Sequence, residues 1–295
     1  MGNSKTVLVF TLLLFNLIGC NRTLAPENAK LPQPEVESRN EITTKCFMAG
    51  VEVTKKTDNT KALYIMELLA TTCVPATPIH TEEGASIHIE ATPDKNSEFT
   101  LFVVPLLPED AEVDGWWKSQ VENKMNSAVF HPAGKSSGIL ILNMSDKISP
   151  TWMGLIIIHM GANIADHVSG DLDQFNDDPL LQRAITETNA YAVEIELAEA
   201  IGGKEYSKLV DLEVARQKEE YAKGSVKPPD YKSYTEQLNA IFGKSKSEEE
   251  DGIRNSILWI NGIFRMIDNS TNSQVDSDNA KTGILLSMYQ SGNMQ

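Results

Sequence analysis

The stretch from Gly154 to Gly170, GLIIIHMGANIADHVSG, gathers residue types able to do chemistry. An apolar run leads into His159, and Asn163, Asp166 and His167 follow at helical spacing. Two imidazoles at i and i+4 share one helix face and can grip a single metal ion. Here the i+4 position holds Asn163, whose neutral amide is a poor zinc ligand. His167 comes eight residues after His159, about 12 Å along a straight helix. Two ligands of one zinc stand only about 4 Å apart, each on a bond of about 2.1 Å. The two rings therefore cannot share one ion, and Asp166 points off that face.

LIIIHMGAN resembles the HExxH helix of zinc metallopeptidases. ETNAYAVEIELA, beginning at Glu187, is similar to the glutamate helix of the gluzincin group, in which a Glu supplies the third zinc ligand. The apolar segment GILILNM stands where such proteins place the strand lining the substrate cleft. The resemblance spans about residues 137–203 and implies a zincin-like core there, with His159 and Glu187 as the two remaining metal positions. It also implies what is lost. The general-base position is Met160, which accepts no proton, and the second ligand position is Asn163. A general base is worth about 10²- to 10⁴-fold in rate. No catalytic residue is therefore expected, and no cofactor, although a zinc held by His159 and Glu187 stays open. Glu194 shares the face of Glu187 and could bring a carboxylate inward without replacing the base.

The same residues also read as plain core. Gly161, Ala162 and Ala165 are small enough for close helix packing, Ile156, Ile158 and Ile164 are core material, and His159 then needs only a hydrogen-bond partner. His80, His88 and His131 show no metal-ligand spacing. Trp116-Trp117 offers either a recognition patch or one buried and one flanking indole. The acidic run Glu248–Asp251 suits a helix N-terminus. No Gly-rich phosphate loop or cysteine cluster appears.

The N-terminus, MGNSKTVLVFTLLLFNLIGC, carries one Lys and then an apolar run too short for a membrane span, which needs about 20 residues. LIGC resembles the lipobox of bacterial lipoproteins, so Cys20 is the expected lipidated residue. MGNSKT also matches the myristoylation pattern at Gly2, but an apolar core directly behind it favours export. The remaining cysteines, Cys46 and Cys73, form an even pair in an exported chain. They are either a disulfide, worth about 3 to 4 kcal/mol on the chain-entropy argument, or two buried thiols.

With 295 residues, 41% of them hydrophobic, the chain can bury a sizeable core. A net charge of −15 opposes nucleic acid and anionic lipid headgroups. Residues 1–19 read as a lipoprotein signal peptide and 20–41, rich in Pro, Asn and Glu, as a flexible tether. Residues 42–295 read as a single α+β domain with a helical extension over 204–295.

Its N-terminal half contributes the sheet through ASIHIEA, EFTLFVVPLL and SGILILNM, while ALYIMELLATTC fits helix or strand. Its C-terminal half is mostly helical. One helix covers about 149–168. The next is capped by Asp178, has Pro179 in its first turn and stops at Gly202-Gly203. Others cover about 204–223, 231–242 and 248–268, with NSTNSQVDSDNA as a loop before a short last helix.

The expectation for function is an exported lipoprotein of the bacterial cell envelope, membrane-bound through its lipid, whose degenerate peptidase-like domain binds a peptide or protein. Two alternatives stand beside it: an unorthodox zinc metallohydrolase, and a structural envelope lipoprotein. Asn21 after Cys20 is compatible with outer-membrane sorting.

Overall fold

The computed structural model describes residues 33–57, 59–81, 84–89, 92–93, 97–107, 127–144, 148–222 and 252–290. Cys20, Trp116-Trp117, the helix expected over 231–242 and the run Glu248–Asp251 lie outside the described residues. The fold is α+β and mostly helical, with seven α-helices and one five-stranded mixed sheet among the described residues. It divides into two compact units, Met1–Val168 and Ser169–Gln295.

The first unit opens with helices α1 (Gln33–Thr54) and α2 (Thr60–Thr72). α1 begins within the stretch read as a tether. In α2 the buried residues Ala62, Ile65, Met66 and Leu69 recur at helical spacing, and the Asn59 side chain accepts from the Ala62 N–H at 2.9 Å. An N-cap of this kind favours helix over strand for ALYIMELLATT.

Strands β1 (Cys73–Thr81), β2 (Gly84–Ile89), β3 (Thr100–Leu106), β4 (Ala128–Pro132) and β5 (Ser137–Asn143) pair in the order β2-β1-β3-β5-β4. β3 runs parallel to both β1 and β5, while β2 and β4 are antiparallel edge strands. Successive residues of the central strands, such as Val103 and Val104 or Leu140, Ile141 and Leu142, are all buried. Since alternate residues face opposite sides, both faces of the sheet are covered. That double burial explains the near-continuous apolar runs TLFVVPL and SGILILN. One of the two faces carries the cluster Ala76, Val104, Leu106 and Ile141.

Helix α3 (Pro150–Ser169) follows β5 and starts where Ser149 Oγ accepts from the Trp152 N–H at 3.1 Å. It packs unusually close to its neighbours. A Cβ built on Gly154 would stand 2.6 Å from the Gly50 nitrogen of α1, and one on Gly161 would stand 2.4 Å from Ile65 Cγ2 of α2. These two positions are seven residues apart and share one helix face, so glycine is what lets α1 and α2 approach.

The second unit holds a short 3-10 turn (Asp173–Phe175) and helices α4 (Pro179–Ile201), α5 (Gly203–Ala222), α6 (Gly252–Ser270) and α7 (Gln274–Gln290). α4 is bounded as its end residues dictate. The Asp178 side chain accepts from the Leu181 N–H, Pro179 occupies the first turn, and Gly202 ends the helix at φ +93°. Positive φ costs glycine little, which suits it to this stop.

The core of this unit comprises Trp259, Ile263, Phe264 and Ile267 of α6 against Leu285, Met288 and Tyr289 of α7 and Ala184 and Ile195 of α4. In place of the loop expected over NSTNSQVDSDNA, the chain is helical from Gln274 onward, where α7 starts. Ser273 Oγ accepts from the Asp276 N–H at 3.1 Å and so satisfies one of the first turn's unpaired donors.

Candidate functional site

The site suggested by the sequence centres on α3, where His159 is 5% exposed and Asn163 9%. At 100° per residue they lie on the far side of the helix from Gly161, which faces α2. Leu155, Ile157, Ile158, Ala162 and Ile164 are also buried, so α3 behaves as a core helix with a half-buried stripe through Ile156, Met160 and His167. Met160 is half-buried.

His167 has a different role from either metal reading. Its Nε2 lies 3.0 Å from the carbonyl oxygen of Gly134, to which the N–H form donates. The ring meets the edges of Phe99 and Phe130 at 5.9 and 5.7 Å. It thereby pins the last turn of α3 to the β4–β5 turn. His131 is partly buried on β4 and His88 partly buried on β2.

Glu187 belongs to α4 of the second unit and is half-buried. It stands close enough to Tyr289 of α7 to raise that phenol's pKa, after burial itself, while Arg183 opposes the shift. Arg183 sits over the Tyr289 ring at 4.6 Å. Glu194 is buried on α4 and, together with burial, raises the Tyr206 phenol, which accepts from Asn261 Nδ2 at 2.8 Å. His159 and Asn163 are thus together on α3, and within the second unit Glu187 shares its surroundings with Arg183 and Tyr289.

This donor set does not fit a catalytic zinc, which takes three imidazole, thiolate or carboxylate ligands. One imidazole and one amide on α3, even with the Glu187 carboxylate added, fall short of that number. Among the described residues no group of three or more His, Cys, Asp or Glu could hold a metal ion. Cys46 is buried in α1 and Cys73 opens β1, and both carry free thiols. Burial pushes the Cys46 thiol up to about 11 and raises that of Cys73 as well. Thiols held protonated in this way are poor nucleophiles and poor ligands.

One feature of this unit was not legible in the sequence. Among the described residues β4 is an edge strand, and its phase is set by two bonds to β5: Asn143 N–H donates to Ser127 O and Ala133 N–H donates to Ser137 O, each at 2.9 Å. In an antiparallel ladder bonded positions alternate. Val129 and His131 therefore bond inward, while Ala128, Phe130 and Pro132 turn their backbone groups away from β5. Pro132 has no N–H and costs the ladder nothing there.

Exposure grows along the strand, from buried Ala128 through half-buried Phe130 to exposed Pro132. The Phe130 ring lies over Gly138, where a Cβ would come within 2.4 Å of it. The aromatic and β-branched AVF ahead of the turn residues PAGK was the available signal.

Compared with known proteins, the chain matches no family model, no curated protein and no solved structure.

Proposed function

We propose that the protein is an exported, lipid-anchored binding protein of the bacterial envelope. Its first unit takes an extended peptide along the edge of β4 and does not hydrolyse it. The observation that carries this reading is the outward N–H and C=O of Phe130 on an edge strand held to α3 by His167. Strand addition needs only such backbone groups and leaves specificity to neighbouring side chains. The absence of hydrolysis rests on chemistry: Met160 cannot activate water and Asn163 cannot replace an imidazole. The anchor rests on the lipobox-like LIGC ending at Cys20. Among the described residues no helix is long and apolar enough to cross a membrane.

The test is a peptide-library binding screen on the mature, lipid-bearing chain in detergent micelles, followed by amide hydrogen exchange with the best binder. The expected result is slowed exchange at Phe130 and weaker binding by Phe130→Pro than by Phe130→Ala, since both lose the ring over Gly138 and beside His167 but only proline lacks the outward N–H, which does not bond to β5. Equal binding by the two variants, without protection at Phe130, overturns the site. Cleavage of any peptide that disappears in His159→Ala overturns the non-hydrolytic reading.

A further inference from the structure

We draw no further inference here: the strongest candidate, the cluster of Arg183, Glu187 and Tyr289 where α4 meets α7, consists of side chains that already interact with one another, and no second observation points to a ligand.

Discussion

Gly50 and Gly154 bring the backbones of α1 and α3 into contact, since a Cβ on Gly154 would meet the Gly50 nitrogen at 2.6 Å and the Ala49 carbonyl carbon at 3.0 Å. A flexible side chain could swing aside from such a clash, but backbone cannot. Alanine at Gly154 must push the helices apart, and overpacking of this kind costs about 1 to 3 kcal/mol. Helix propensity returns up to about 1 kcal/mol of that.

Gly154→Ala is therefore expected to lower the urea midpoint. Gly262→Ala, on α6 with nothing within 4 Å of its Cβ, is expected to leave the midpoint unchanged or raise it. If the Gly154 variant is as stable as the parent, the close crossing is wrong.

His159 separates the metal and packing readings of α3. As a packed residue that is 5% exposed, it should cost about 1 to 3 kcal/mol when truncated to alanine, within the usual range for a buried side chain. Metal analysis after dialysis should find well under one zinc per chain in parent, His159→Ala and Glu187→Ala alike. One tightly held zinc in the parent, lost in both variants, would restore the zinc site and move hydrolysis to the front.

Cys46 makes stability depend on alkaline pH. Its folded thiol is raised by burial from 9.0 to about 11, so between those values the unfolded chain releases a proton that the folded chain keeps. Bound protons then favour the folded state less and less as pH rises, and this contribution to stability is fully present below pH 9 and lost through about pH 11. A thiol displaced that far contributes about 3 kcal/mol at most. Urea midpoints from pH 8 to 11 should fall, with a shallower fall in Cys46→Ala. Cys73, also raised by burial, supplies part of the slope that remains. An identical slope in the variant would remove Cys46 from the account.

Legibility followed the strength of local signals. α4 could be bounded from Asp178, Pro179 and Gly202 because caps act within one turn and depend on residue type alone. β3 and β5 could be read because burial on both faces forces apolar residues at every position. β1 was not legible, since Pro75 and Pro78 in CVPATPIHT argue against a strand and only its place beside β2 and β3 makes one. The glycines of α3 suggested close packing, but their partners Gly50 and Ile65 are far away in sequence. His167 has the look of a spare ligand because nothing in the sequence reveals that Gly134 O stands beside it. Likewise the edge position of β4 belongs to the topology and not to AVFHP itself.

α7 is the case where a readable signal competes with a stronger contrary one, and it yields the last prediction. NSTNSQVDSDNA looks like a loop because Asp, Asn and Ser favour turns. Yet Ser273 followed three residues later by Asp276 is a helix-start pattern: Ser273 Oγ accepts from the Asp276 N–H and donates to Asp276 Oδ2 at 2.7 Å. Farther along, buried Lys281 pairs with Asp268 at 2.6 Å, and Leu285 and Met288 enter the core, so tertiary contacts complete what the cap begins. Ser273→Ala should cost about 1 kcal/mol, a typical N-cap loss, and speed amide exchange in the first turn of α7 while leaving α4 untouched. Unchanged exchange at Asp276 and Ser277 would mean that packing alone starts this helix.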